Sequence, residues 1–181
     1  MRTAYFVIGP ESSGTRLMTK IFRSAGIIDP LLNIRRVYNS ILLETIRKKL
    51  PKDRDIVIWR SMPHERDESR WEPLSLNREG LHSLGFRIRC IVTVREFYSH
   101  TRSMVHRNHC SMDDPREAAK AEYKKIFLEI AEEDFIVVST SLLMVKPERV
   151  LTSLSEWSGL SLNEPHIRKI IRDEDAKWFR K

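Results

Sequence analysis

Hydrophobic residues recur along the chain in four short runs that are either continuously apolar or alternate with polar positions. Both patterns are typical of strands in a sheet that is covered on its faces. The predicted strands are Thr3–Ile8, Asp55–Trp59, Phe86–Val94 and Phe135–Val138. The third run is the clearest, because apolar side chains occupy every second position from residue 88 to residue 94.

Apolar residues at helical spacing fill most of the sequence around these runs. The predicted helices are Thr15–Ala25, Ser40–Leu50, Glu96–Val105, Pro115–Glu132, Pro147–Trp157 and Glu164–Ile171. Residues 60–76 carry two prolines and many charges, and they are predicted to form a long surface loop. Because strands alternate with helices, we predict a three-layer α/β/α fold with a mainly parallel central sheet, in one domain over residues 1–181.

Composition narrows the class of protein. Hydrophobic residues make up 41% and charged residues 31% of the 181 positions, which favours a globular protein over a disordered one. No apolar run approaches the length of a membrane span. The two cysteines, Cys90 and Cys110, exclude a disulfide framework, and the cytoplasm is the expected compartment.

Positive charge is concentrated in the first half of the chain. Residues 1–90 contain 17 basic and 10 acidic residues, whereas residues 91–181 contain 15 of each. The net charge of +7 therefore arises from the first half alone. This bias favours an anionic ligand such as a nucleotide, a nucleic acid or an acidic saccharide, and a basic solvated surface is the alternative interpretation.

A glycine-containing turn between the first strand and the first helix is the strongest candidate for a ligand site. Residues 9–16 read Gly-Pro-Glu-Ser-Ser-Gly-Thr-Arg, and Gly9 and Gly14 have the spacing of a nucleotide-binding P-loop. Backbone N–H groups of such a turn, together with the positive helix N-terminus, attract phosphate. Thr15 and Arg16 stand where an NTP-binding loop needs Lys and Ser/Thr, so the turn fits phosphate better than Mg·ATP. A plain turn capped by Ser13 or Gly14 is the alternative.

A second candidate anion site lies at the end of the third strand. Arg95 follows that strand directly, and open α/β sheets bind ligands at the carboxyl ends of their strands. Ser103 comes eight residues later, about two helical turns on, and a helix that folds back would bring its hydroxyl to the same crevice. The arginine fork suits a terminal phosphate. A surface arginine and a surface serine are the alternative.

The ordered set of motifs resembles the family of sulfotransferases that use PAPS, 3′-phosphoadenosine 5′-phosphosulfate. In that family the first loop typically reads Pro-Lys/Arg-Ser-Gly-Thr-Thr, and residues 13–15 match its Ser-Gly-Thr. Arg95 and Ser103 match the spacing of the Arg and Ser in its 3′-phosphate motif. Residues 137–160 resemble a family segment near the C-terminus, with Pro147, Trp157, Gly159 and Leu160 in place.

The sequence departs from the family pattern at two places. Ser12 replaces the basic residue of the first loop, for which Arg16 or Arg60 is the expected substitute. The usual Tyr-Glu-Asp-Leu is here Thr-Ser-Leu-Leu, at residues 140–143. The chain is also short for the family, so the acceptor-binding insertions are expected to be reduced.

The resemblance implies transfer of a sulfuryl group from PAPS to a hydroxyl-bearing small molecule or saccharide. Ser12, Ser13, Gly14, Thr15 and Arg16 would hold the 5′-phosphosulfate, and Arg95 and Ser103 the 3′-phosphate. His64, just after the second strand, is the candidate general base, with Glu65 as the alternative. No metal ion and no nucleic-acid partner are expected, and the oligomeric state and the acceptor stay open.

Two other functions remain as alternatives. A P-loop kinase or other NTP-using enzyme fits the first loop but lacks the loop's lysine. A non-catalytic anion-binding or nucleic-acid-binding protein fits the charge, although 8% aromatic residues form no stacking ladder. His106, His109 and Cys110 lack the further ligand that a convincing zinc site needs. Trp71 could stack on a ligand ring or fasten its loop to the core.

Overall fold

Four parallel strands form the centre of the protein in the computed structural model, which describes residues 1–10, 12–30, 44, 46, 48, 53–62, 74–96, 100 and 115–179. The strands are β1 (Arg2–Pro10), β2 (Ile56–Met62), β3 (Phe86–Val94) and β4 (Asp134–Ser139). Their order in the sheet is β2-β1-β3-β4. The chain therefore moves to one side of β1 for β2 and to the other side for β3 and β4.

Six described helices cover the sheet. They are α1 (Thr15–Ser24), α2 (Leu74–Ser83), α3 (Pro115–Ile130), α4 (Thr140–Val145), α5 (Pro147–Ser158) and α6 (Pro165–Phe179). Alternate residues of each strand point to opposite faces, and the buried side chains accordingly form two separate apolar clusters. One cluster joins Phe6 and Ile8 to α2 and α3, and the other joins Tyr5 and Val7 to α1, α4, α5 and α6. The predicted three-layer α/β/α architecture with a parallel sheet is confirmed.

Two helices were not predicted from the sequence. Helix α2 begins at Leu74, inside the segment predicted as a loop, and β2 extends to Met62. The side of α2 that faces the core carries Asn77 and Gly80 as well as Leu81, so its apolar periodicity is weak. Helix α4 has only six residues and follows β4 without a turn, which leaves too few positions for a helical period.

The remaining predicted helices are described to different extents. Glu44, Ile46 and Lys48 of the predicted helix over residues 40–50 are helical. Of the predicted helix Glu96–Val105 only residues 96 and 100 are described; His100 is helical and its N–H donates to the Glu96 carbonyl at 3.0 Å. Within the described residues, no helix is both long enough and apolar enough to cross a bilayer.

Cys90 is a free thiol at the centre of β3, completely buried in the cluster beneath α2 and α3. Burial raises the pKa of this thiol to about 12, and the nearby Glu133 carboxylate adds to the increase. The thiol is therefore protonated at neutral pH and acts as a small apolar core residue.

Candidate anion-binding site

Of the predicted site residues, the structure describes residues 12–16 and Arg95, and these lie at the carboxyl ends of β1 and β3, which are neighbours in the sheet. The chain leaves β1 toward α1 on one face, whereas α3, the next described helix after β3, packs on the opposite face. Adjacent parallel strands whose connections diverge in this way leave a crevice between them, where α/β proteins bind ligands. The first loop, residues 10–15, follows β1 at this end of the sheet, and Arg95, directly after β3, contacts the loop at the Ser12 carbonyl.

The first loop contains two residues in the left-handed backbone region. Gly14, the N-cap of α1, has φ 102°, and Ser12 has φ 69°. Ser12 is the only non-glycine residue with a positive φ in the described part of the chain. Left-handed serine costs about 1–2 kcal/mol and persists where surrounding contacts over-determine it, which is common at ligand sites.

Ser13 fastens this loop to the sheet. Its N–H donates to the Pro10 carbonyl at 3.1 Å, and its hydroxyl lies 2.8 Å from the Thr93 hydroxyl on β3. The side chain is completely buried. The Ser13 hydroxyl therefore links the first loop to β3, and the predicted place of Ser13 among the residues that hold the 5′-phosphosulfate stays a prediction.

Thr140 closes the loop from the other side, and sequence reasoning missed this role. Its hydroxyl lies 2.8 Å from the Ser13 carbonyl and 3.1 Å from the Val94 carbonyl, so it links the first loop to the end of β3. Its methyl group lies against Gly14, where an added Cβ would come within 2.5 Å of it. The only sequence signal was the departure from the family pattern at residues 140–143.

We expect Thr140→Val to destabilise the protein by about 1–3 kcal/mol, because it keeps the shape but removes the hydroxyl donor that serves two backbone carbonyls. Urea unfolding monitored by far-UV circular dichroism measures the change. Ser153→Ala is the control, since Ser153 donates to the Arg149 carbonyl on an exposed helical surface. Equal, small losses for both variants would show that the Thr140 link is dispensable.

Ser12 presents two different groups to the site. Its carbonyl accepts a hydrogen bond from Arg95 Nη1 at 3.2 Å, although the two residues are 83 positions apart. Its side-chain oxygen is shielded from solvent and has no hydrogen-bond partner among the described residues. Such a buried hydroxyl carries a desolvation cost that a ligand oxygen could offset.

The predicted substitutes for the missing cation point to opposite faces of the sheet. The exposed Arg16 guanidinium lies 5.2 Å from the ring centroid of Trp59, on the α1 face. Arg60, on the other face, donates to Asn77 Oδ1 at 2.6 Å. Of the two candidates, Arg16 is therefore the one that lies in the first turn of α1, directly after the first loop. Thr15 precedes it, nearly buried, with its hydroxyl 3.3 Å from that of Ser61.

The side chain of Tyr123 contacts the end of β3 and also packs against His100. The Tyr123 hydroxyl donates to the Thr93 carbonyl at 3.4 Å, and the Tyr123 ring packs edge-on against the buried His100. Burial raises the pKa of Tyr123, and the Glu122 carboxylate adds to the increase, so the phenol is neutral at physiological pH. These contacts hold in place the strand end that precedes Arg95.

Several predicted residues lie outside the described part of the chain, namely Ser103, His64, Glu65, Trp71, His106, His109 and Cys110. Their predicted roles stay predictions. Among the described residues, no group of three or more His, Cys, Asp or Glu side chains could hold a metal ion.

Comparison with family models gives no match, and neither does comparison with curated protein sequences. Solved structures do match. The mouse sulfotransferase SULT7A1 complexed with PAP (3′-phosphoadenosine 5′-phosphate) superimposes with a TM-score of 0.60 at 15% identity, over 94% of this chain. The sulfotransferase domain from the curacin biosynthetic pathway matches with a TM-score of 0.57 at 13% identity, over 92% of this chain and 77% of that one.

A sugar kinase from Janibacter sp. is also similar, with a TM-score of 0.54 at 12% identity, over 92% of this chain and 98% of that one. The chain spans 64% of the mouse sulfotransferase. At these identities the likeness establishes the fold alone. The chain therefore has the sulfotransferase fold, with a P-loop-like first strand, loop and helix, as the motifs predicted.

Proposed function

We propose that the protein is a sulfotransferase that moves the sulfuryl group of PAPS to a hydroxyl-bearing small molecule or glycan. The observation that carries the proposal is the contact between Arg95 and the Ser12 carbonyl, which joins two candidate anion sites at one crevice. A ligand with phosphate groups at both its 5′ and 3′ positions suits such a pair of sites. The fold supports the proposal, since the similar structure of SULT7A1 is a complex with PAP.

The first loop would hold the 5′-phosphosulfate. Ser13 N–H is already bonded to Pro10, so the donors assigned to the ligand are the N–H groups of Ser12, Gly14 and Thr15. N–H groups in the first turn of a helix lack intrahelical acceptors, and the α1 macrodipole adds positive potential at the same point. Arg16 supplies the full positive charge that the loop itself lacks.

Arg95 and Ser103 would hold the 3′-phosphate. A guanidinium can donate two parallel hydrogen bonds to a phosphate, and this pairing is stronger than two neutral hydrogen bonds. The site should therefore prefer a nucleotide that carries a 3′-phosphate over the same nucleotide without it.

In the transfer step, the acceptor oxygen attacks sulfur in line with the bond to the 5′-phosphate oxygen. The new S–O bond forms as that S–O bond breaks, and 3′-phosphoadenosine 5′-phosphate (PAP) leaves. The acceptor proton passes to a general base, for which His64 is the candidate and Glu65 the alternative. The remaining catalysis is positioning and stabilisation of charge by Arg16 and the α1 N-terminus, so the proposal uses no metal ion.

Isothermal titration of PAP and of 5′-AMP in the absence of Mg²⁺ tests the proposal. We expect micromolar binding of PAP and at least tenfold weaker binding of 5′-AMP, because only PAP reaches both anion sites. If neither nucleotide binds, the proposed function is wrong.

We expect His64→Ala to lower the rate of sulfuryl transfer on the order of a hundredfold or more, since it removes the general base. The rate is followed as PAP release from PAPS, with an acceptor found by screening phenols, alcohols and saccharides. PAP affinity should stay at the wild-type value, and Glu65→Gln is measured beside it, because a comparable loss of rate in that variant alone would assign the role of general base to Glu65. A rate within a few-fold of wild type would transfer the role to another group.

The similarity to a sugar kinase keeps phosphoryl transfer as a second candidate function. Against it stands Thr15, at the position where an NTP-binding loop carries lysine. Titration of Mg·ATP separates the candidates: Mg²⁺-dependent ATP binding tighter than PAP binding would favour the kinase.

A further inference from the structure

The three basic residues spaced along α1 have different partners. Lys20 Nζ lies 3.0 Å from Glu174 Oε2, and Arg23 Nε lies 4.0 Å from Asp29 Oδ2, so both charges face a carboxylate. Arg16, one turn before Lys20, has no carboxylate partner among the described residues. Its guanidinium instead lies 5.2 Å from the centre of the Trp59 indole ring. In the described part of the chain, the α1 cation nearest the first loop is therefore not paired with a carboxylate.

The position of Arg16 is electrostatically unfavourable in the free protein. It is the second residue of α1, where the helix macrodipole is positive, and the first turn contains no acidic residue. A cation there repels the helix end unless an anion binds close by. The arrangement has the polarity expected of a site built to receive a negative group.

Strand β2 contacts two consecutive residues in the first turn of α1, Thr15 and Arg16. Trp59 and Ser61 lie two residues apart on β2 and point to the same face of the sheet. Ser61 Oγ contacts the Thr15 hydroxyl at 3.3 Å, and Trp59 contacts the Arg16 guanidinium. Trp59 is itself packed against the apolar cluster beneath α1, so its ring is held in place.

We infer that Trp59 is a positioning residue for Arg16, holding the guanidinium by a cation–π contact at the mouth of the first loop. The inference rests on the proposed function, because it assigns Arg16 to the 5′-phosphosulfate. A free arginine side chain loses considerable rotamer entropy when it is ordered on a ligand. A preformed contact with the indole face lowers that loss on binding.

A double-mutant cycle on PAP affinity tests the inference, with Arg16→Ala, Trp59→Leu and the double variant measured by isothermal titration. We expect Arg16→Ala to weaken PAP binding about tenfold or more, since it removes a charged hydrogen-bond donor. Trp59→Leu should weaken it roughly two- to fivefold in the wild-type background, the range of an exposed cation–π contact. In the Arg16→Ala background Trp59→Leu should have no further effect, and Trp59→Phe, which keeps an aromatic face, should recover part of the loss.

Trp157 provides a matched control. It packs against the same apolar cluster, and Arg89 lies 4.0 Å from its ring centre, but it sits away from the first loop. In the double variant, the fold-changes in PAP affinity caused by Trp157→Leu and by Arg16→Ala should therefore simply multiply, with no coupling between them. If Trp59→Leu is equally harmful with and without Arg16, Trp59 acts through packing and the inference is wrong. It is also wrong if Trp59→Leu leaves PAP affinity unchanged.

The same cycle measured by urea unfolding, without ligand, tests the contact between Arg16 and Trp59 separately from the proposed function. Coupling of Arg16 with Trp59 in unfolding, together with failure of the wild-type protein to bind PAP, would mean that the contact exists but the proposed function is wrong. PAP binding with no coupling in either measurement would leave the proposed function standing and overturn the role of Trp59.

Discussion

Gly9→Ala is expected to destabilise the protein by about 3 kcal/mol or more and to abolish PAP binding. A Cβ at residue 9 would lie 2.8 Å from the Thr93 carbonyl oxygen and closer still to the hydroxyl oxygens of Thr93 and Ser13. Those hydroxyls are buried and bonded to each other, so neither can move without losing its partner. The substitution therefore combines overpacking with a broken buried hydrogen bond, and each contributes about 1–3 kcal/mol.

Urea unfolding measures the loss, and isothermal titration of PAP measures its effect on the site. Gly26→Ala is the comparison variant, because a Cβ there meets no atom within 4 Å. Gly26 has φ 87°, so its alanine variant bears backbone strain of about 1–2 kcal/mol without a clash. A Gly9→Ala protein as stable as Gly26→Ala would show that the first loop does not approach β3 as closely as described.

Arg95→Ala is expected to weaken PAP binding at least a hundredfold while leaving 5′-AMP binding much less affected. The guanidinium would donate two charge-assisted hydrogen bonds to the 3′-phosphate, each contributing about 1.5–3 kcal/mol. Loss of the hydrogen bond to the Ser12 carbonyl also loosens the first loop, and that change weakens the binding of both nucleotides. The ratio of the two affinities is therefore the decisive quantity.

Arg87→Ala is the matched control for this experiment. It removes the same charge, but near the first residue of β3 rather than after the last, and Arg87 is exposed and pairs with Asp134 at 3.1 Å. The two arginines are eight positions apart, which corresponds to about 26 Å along an extended chain. Arg95→Lys should recover part of the affinity, because lysine keeps the charge without the fork. An unchanged preference for PAP over 5′-AMP in Arg95→Ala would remove the 3′-phosphate site from the proposal.

Elements with strong local signals were predicted closely. The third strand was predicted as Phe86–Val94 and has those bounds, because its apolar side chains at every second position all join the cluster beneath α2 and α3. The first helix was predicted as Thr15–Ala25 and ends at Ser24, just before Gly26 with its positive φ. Helix α5 likewise begins at Pro147, a residue favoured in the first turn.

Elements whose sequence conflicts with their surroundings were not predicted. In α2 the buried side includes Asn77, whose amide oxygen accepts a hydrogen bond from Arg60 on β2, so a polar residue occupies an interior position. A hydrophobic pattern cannot reveal that exchange, because the partner comes from another element. Helix α4 depends on Ser139, whose hydroxyl accepts from the Leu142 N–H, and on packing against α5 and α6.

The sequence by itself determined the parallel α/β fold, the glycine-containing loop after the first strand, and the arginine at the end of the third strand. These features depend on residues that are close together along the chain. Apolar residues repeat every two positions in strands and every 3.6 positions in helices, and the loop has two glycines five positions apart. Local patterns of this kind report secondary structure and its turns directly.

Only the tertiary structure decided how these segments contact one another. Thr93 lies 80 residues from Ser13, and Thr140 lies 127 residues from it, yet both bond to that one residue of the first loop. Gly9 is required by the approach of β3 rather than by its own backbone angle, and the pairing of Arg16 with Trp59 depends on α1 packing across β2. Contacts between distant segments arise when the sheet assembles and buries both apolar faces, and no pattern within one segment encodes them.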